Sequence, residues 1–267
     1  GLGDAEYVRG RMLSAGRHLR ACIELCRQHG FGRIEVSALP MAAVTALYAG
    51  EYERSLEEST AAVEAASRVG HQRAEMIARH IMFMRQAERC DFAAAQGNVE
   101  RAITLSRQLG ARRFEAEGLG FLALIEAGRG RRSRATRLLR DALAISREIG
   151  MAYFGPGLLG WLALHTDDPE ERRAALAEGE ALLAAGSVSH NYFFFYQAAI
   201  DAALGARDWA AAERYAAALE EYTRPEPLPW TDFIVARGRA LAAWGRGERN
   251  ATAVERLRAL RAQAERA

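Results

Sequence analysis

Small and apolar residues return along this chain at a fixed interval. Gly30, Gly70, Gly110 and Gly150 stand 40 residues apart, and Gly10, Gly50, Cys90 and Gly130 form a second ladder in the same register. Between them run small columns, Ala15, Ser55, Ala95, Ala135 and Cys22, Ala62, Ala102, Ala142. Two more columns are Leu19, Ser59, Val99, Leu139 and the aliphatic Ile23, Val63, Ile103, Leu143. Within a unit these positions fall at i, i+4, i+7 and i+8, one face of an amphipathic helix. The pattern predicts a helix from the first glycine column to the second, closed by a glycine at C′, where a left-handed backbone suits a residue without Cβ. A second helical stretch fills the rest of each unit, at 33–48, 73–88, 113–127 and 153–165. Two antiparallel helices per 40 residues make a helical-hairpin repeat.

After Gly150 the period loosens. Asp168-Pro169-Glu170 reads as N-cap, first-turn proline and first-turn acid, opening a helix that ends near Gly186. Further helices are predicted from Ser189 to Leu204, from Asp208-Trp209 to about Tyr222, at 230–244 and at 250–264, with a rigid connector at 225–229. Pro40 lies inside or at the first turn of its helix, which either starts near Ser37, leaving Arg33 and Glu35 in a loop, or kinks.

The tetratricopeptide pattern places a small residue late in helix A, then Gly-Asp-Tyr-x-x-Ala-Leu leading into helix B, then another small residue seven further on. Gly50-Glu51-Tyr52-Glu53-Arg54-Ser55-Leu56 with Ala62 resembles it closely, and Leu2-Gly3 resembles the Leu-Gly pair of helix A. The unit exceeds the family's standard of about 34 residues, so its helices are longer than usual. The expected fold is all-α, a right-handed superhelical solenoid of about six to seven TPR-like hairpins. It forms one array over 1–267, regular through 1–150 and diverged over 151–267. Gly1 falls some way into a helix A, so the chain reads as a piece of a longer protein without its own N-terminal cap. An uncapped stack leaves an apolar helix face for pairing with another copy.

Composition narrows the chemistry. All 36 basic residues are arginine. Without lysine there is no P-loop lysine, no Schiff-base amine and no kinase strand lysine. Arginine in place of lysine is also what a GC-rich bacterial genome writes. Basic and acidic side chains nearly balance at +2 and alternate through most segments, so no nucleic-acid face is expected. No apolar run approaches the roughly 18 residues of a membrane span, and no signal peptide is visible. Cys22, Cys26 and Cys90 lack framework spacing and read as reduced thiols of a cytoplasmic protein. Cys22 and Cys26 share a helical face but fall in small columns, which favours packing over metal. The histidines at 18, 29, 71, 80, 165 and 190 show no ligand spacing, so no metal or cofactor is expected.

Two features are candidates for binding. The first is Arg-x-Glu at Arg33 and Glu35, Arg73 and Glu75, Arg113 and Glu115, again 40 apart. Stacked A helices would set these in ladders on the concave face, either gripping an acidic or phosphorylated ligand by bidentate arginine contacts or pairing with each other to hold the stack. Tyr153, Phe154 and Gly155 break the ladder. The second feature is His190-Asn191-Tyr192-Phe193-Phe194-Phe195-Tyr196. Five consecutive aromatics wrap a helix completely. They either line a pocket, with Tyr192, Phe195 and Tyr196 facing Trp230 and Asp232 and with His190 and Asn191 supplying polar groups, or they mark a helix sandwiched between neighbours.

Gly70-His71-Gln72-Arg73-Ala74-Glu75-Met76, Glu178-Gly179-Glu180-Ala181-Leu182-Leu183, Val188-Ser189-His190-Asn191, Glu226-Pro227-Leu228-Pro229-Trp230 and Ala236-Arg237-Gly238-Arg239-Ala240-Leu241 carry a further resemblance. They are similar to the C-terminal repeat region of bacterial multidomain proteins that bear a class III adenylate/guanylate cyclase domain and an AAA-type ATPase domain. The resemblance implies a non-enzymatic regulatory module whose partner is a protein or peptide, including upstream domains of the same polypeptide. The alternative is a small-molecule sensor with its pocket on the concave face.

Overall fold

The computed structural model describes residues 1–266, and among them the backbone forms fourteen α-helices and no strand. They alternate as A and B helices of seven antiparallel hairpins. α1 (Leu2–Val8) pairs with α2 (Met12–His29), α3 (Gly32–Tyr48) with α4 (Tyr52–Arg68), and α5 (Gln72–Glu88) with α6 (Phe92–Gln108). α7 (Arg112–Gly128) pairs with α8 (Arg132–Ile149), α9 (Gly155–His165) with α10 (Pro169–Ala185), α11 (His190–Gly205) with α12 (Trp209–Thr223), and α13 (Pro229–Gly245) with α14 (Ala251–Arg266). The chain is therefore an all-helical repeat solenoid, as the 40-residue columns predict. Pro40 is accommodated inside α3, so Arg33 and Glu35 belong to that helix.

The small columns are where helices approach. Ala15, Ser55, Ala95 and Ala135 are completely buried, as are Ala62, Ala102 and Ala142. The Ser55 hydroxyl satisfies itself by donating to the Ala43 carbonyl at 2.9 Å, which a buried polar atom requires. Every A-to-B turn but that between α9 and α10, where Thr166 is extended, closes in the left-handed region. At Gly50 (φ 77°) the amide donates to Leu47 O and the next amide, Glu51 N, to Ala46 O, the two bonds of a Schellman turn. Cys90 occupies the same column and is held at φ 59° with the equivalent bonds.

The array curls until its first and last hairpins meet. One hydrophobic cluster joins Met12 and Tyr48 near the start to Phe193, Leu219, Leu228 and Trp230 near the end. The Tyr48 ring lies 4.8 Å from Phe193 and 5.5 Å, edge-on, from Trp230. Ser189 Oγ donates to Tyr7 O at 2.5 Å. The Glu226 carboxylate accepts from the amides of Leu13 (2.8 Å) and Ser14 (3.2 Å) and from Ser14 Oγ (2.5 Å). Arg11 leaves α2 without a side-chain cap, so Glu226 satisfies orphan donors of that helix from the far end of the chain. Among the described residues no helix is long and apolar enough to cross a membrane.

Candidate functional site

The inner face holds a cavity of about 320 Å³ lined by α1, α3, α5, α7 and α11. Its apolar wall includes Met41 and Val44 of α3, Ile77 and Met84 of α5, Phe121 of α7 and Phe194 of α11. Two further hollows continue along the lumen. One, of about 200 Å³, shares Met84, Phe121 and Phe194 with it; the other, of about 360 Å³, is reached past Glu88, Gln197 and Trp230.

Polar groups converge on the first cavity. His80 is 3 % exposed, edge-on to Phe121 at 5.2 Å, and neither ring nitrogen has a hydrogen-bond partner. Its Nδ1 stands 3.4 Å from Glu117 Oε2, in contact but misaligned for a hydrogen bond. Tyr153 donates to that same carboxylate oxygen at 3.2 Å. Burial, reinforced by Glu117, pushes the Tyr153 phenol well above its ordinary range, so it keeps its proton. A buried imidazole with two unused nitrogens is costly unless something else completes it.

Next to it, His190 is fully committed. Burial lowers its pKa, so the ring is neutral. Nε2 lies 2.6 Å from the Tyr153 carbonyl and Nδ1 3.0 Å from the Tyr7 hydroxyl. A carbonyl can only accept, so Nε2 carries the proton and Tyr7 donates to Nδ1. This chain from α1 through α11 to the turn before α9 fixes the cavity's floor.

Arg73 and Arg113 stand at its edge. The Arg113 guanidinium sits 5.0 Å from the Phe114 ring centroid and 4.9 Å from that of Tyr153, and Arg73 lies 5.3 Å from Phe114. Both side chains are exposed, and among the described residues neither makes an ion pair, unlike most arginines here. Stacking on a ring engages a guanidinium's face and leaves its in-plane N–H donors free.

The Arg-x-Glu ladders therefore divide. Glu35 pairs with Arg27 at 2.8 Å, Glu75 with Arg79 and Arg101 at 2.9 and 3.2 Å, and Glu115 with Arg107 and Arg112 at 2.8 and 3.3 Å. Burial raises the Glu75 carboxyl, but its arginine hydrogen bonds outweigh burial and hold it below its ordinary range. These three glutamates are corrected from site residues to fastenings between helices. Arg33 lies away from the cavity, in an open cleft beside Arg68 and His71.

The aromatic run is corrected too. α11 is sandwiched, and its rings leave in different directions. Tyr192 stacks on Tyr222 at 3.9 Å and donates to Leu183 O. Phe195 is fully buried against Gly179 and Gly160, Tyr196 is half-buried near Tyr215, and Trp230 is buried against Tyr48. Asn191 is fully buried, its amide donating to Ala152, Tyr153 and Val188 carbonyls and accepting from Gly157 N. Asp232 is exposed on α13. Of the expected group only His190 reaches the cavity; Tyr192, Phe195, Tyr196, Trp230 and Asp232 form no common pocket. Sequence reasoning missed His80, Glu117, Tyr7 and Tyr153.

No family model matches this chain, and no curated protein does. Solved structures do: 36 chains match, among them the crystal structure of the apo form of RapI. It superposes with a TM-score of 0.56 at 11% identity, over 91% of this chain and 94% of that one. At that identity the likeness is one of fold, the helical-repeat array described above.

Proposed function

We propose that this chain is a non-catalytic regulatory module that engages a protein or peptide partner, and that occupancy of its inner cavity sets how tightly the array closes. The observation carrying this reading is that one cavity takes its wall from α1, α3, α5, α7 and α11 together. An occupant touching all of them binds the closed ring better than an opened one, and only such a difference in affinity shifts a conformational equilibrium. The partner class that the sequence resemblance implies is a class III nucleotide cyclase domain with an AAA-type ATPase domain. A reducing, cytoplasmic setting belongs to the same reading, and Cys22, Cys26 and Cys90 are all free thiols.

The test is to mix the purified chain with such cyclase and ATPase domains at low salt, measuring retention on an affinity matrix together with nucleotide cyclisation and ATP hydrolysis. Retention with a changed rate is expected. Neither retention nor a rate effect with either domain would remove the cyclase and ATPase partners from the proposal.

A second reading, a sensor of a free small molecule, is favoured by one specific feature. His80 is buried with both nitrogens unused inside a volume suited to a small ligand.

A further inference from the structure

The cavity's polar groups are arranged asymmetrically, and that arrangement restricts what fits. Two permanent cations, Arg73 and Arg113, flank the Phe114 ring with no carboxylate of their own. Deeper, His80 and Glu117 present an unused imidazole beside a carboxylate. Met41, Val44, Ile77, Met84 and Phe194 line the space between. Building on the cavity reading above, we infer that the site takes a small organic acid whose apolar body carries a second hydrogen-bonding group, an amino or hydroxy carboxylate.

The carboxylate meets the free edges of Arg113 and Arg73, which form charge-assisted, two-pronged hydrogen bonds that an ammonium could not. The second group completes His80 and Glu117. An ammonium or hydroxyl donates to the Glu117 carboxylate, and a hydroxyl also supplies His80 with a partner. Glu117 makes a bare monoanion a poor fit, because its charge opposes the arginines' pull; a zwitterion or hydroxy acid turns the same carboxylate into a contact. The apolar wall takes a branched or aromatic side chain, and the volume of about 320 Å³ admits one such molecule.

The experiment uses the full chain and a ladder of probes sharing one body: phenylalanine, 3-phenyllactate, 3-phenylpropanoate and phenylalaninol, repeated with leucine and its hydroxy, deamino and alcohol counterparts. Thermal shift gives affinity, and the His80 Cε1–H resonance reports contact at the site whatever the fold's stability. Either the amino or the hydroxy acid of a body should raise Tm and move the His80 signal, the deamino acid should bind about tenfold more weakly, and the alcohol should have no effect. R113Q, a change at an exposed side chain, should weaken the acids about tenfold or more, with only a small fall in the melting temperature without ligand from the lost stacking on Phe114 and Tyr153.

An alcohol matching its acid, or R113Q binding as well as wild type, overturns the acid and leaves the cavity reading standing. No Tm rise and no movement of the His80 signal with any probe overturns both.

Discussion

Cys90 stands in a column that elsewhere holds Gly10, Gly50 and Gly130, and it adopts their left-handed backbone at φ 59°. A side chain with a Cβ is strained there by about 1–2 kcal/mol, and Cys90 is exposed, so it loses no packing on removal. Cys90→Gly is expected to stabilise the protein by about 0.5–1 kcal/mol after the unfolded-state entropy of glycine is deducted. A rise in the urea midpoint for Cys90→Gly, absent for Cys90→Ala, is the result that checks it. This position was legible because the register names it. The Arg-x-Glu motif was legible only in part. Residues two apart point to nearly opposite sides of a helix, so Arg73 and Glu75 could not share a ladder; Arg73 and Arg113 face the lumen's edge, whereas Glu75 and Glu115 face neighbouring helices. Counting instead by four and seven from Arg73 and Arg113 reaches Ile77, His80 and Glu117, the residues of the cavity. What the spacing could not supply is that the face they share is covered by α11, two hairpins beyond α7, and by α1 at the chain's start.

At the level of helices, the fold depends on glycines placed where an aromatic ring arrives. A Cβ built on Gly179 of α10 would meet Phe195 Cε2 at 2.2 Å, with Cδ2 and Cζ at 2.8 and 3.0 Å, whereas one on Gly97 of α6 meets nothing within 4 Å. The same substitution should therefore change sign between them. Gly179→Ala is expected to destabilise by about 1–3 kcal/mol through overpacking, and Gly97→Ala to stabilise by about 0.5–1 kcal/mol through helix propensity. Chemical denaturation of both variants decides it, and two effects of the same sign would refute the packing argument. Helix ends in the diverged half, such as Asp168-Pro169, were readable because capping is local. The directions of the five aromatics of α11 were not, since each is chosen by a neighbour: Gly179 admits Phe195, Tyr222 stacks on Tyr192, and Trp161 receives Phe194. At the end of α9, burial and then the charge of Arg132 lower the His165 pKa to about 4 from an ordinary 6.5. The unfolded chain thus takes up the proton first. Stability that is present above pH 6.5 is lost as pH falls toward 4, by about 1.5 kcal/mol between pH 6.5 and 5. The difference between wild type and His165→Gln isolates this contribution from buried carboxyls that act in the opposite sense, such as Asp201, raised by burial. Parallel stability curves for the two proteins over that interval would show that His165 contributes nothing.

Over the whole molecule, closure of the array converts a row of repeats into a structure with an interior. In a simple solenoid each hairpin touches its neighbours alone, so stability accumulates locally; here the last hairpins also bury Tyr48 and cap α2. Glu226 is the polar element of that closure. Its carboxylate accepts from three donors of Leu13 and Ser14, and no residue at the start of α2 offers a substitute. Glu226→Ala is expected to cost about 1–2 kcal/mol, the worth of a helix cap that is also a charge at the positive end of the helix. Because the lost contact spans the two ends, it should also shift the ring toward more open forms. Small-angle scattering should then give a larger radius of gyration for Glu226→Ala than for Glu221→Ala, whose side chain is exposed on α12 with Arg224 as its ion-pair partner. An occupant of the inner cavity that draws α1, α5, α7 and α11 together should return the Glu226→Ala radius toward the wild-type value. If the radius is unchanged by the substitution, the aromatic contacts of Tyr48, Phe193 and Trp230 hold the ring without Glu226, and Glu226 serves α2 alone. If the radius grows and no occupant of the cavity reverses it, closure and cavity are independent, and control of curvature from within fails as a mechanism.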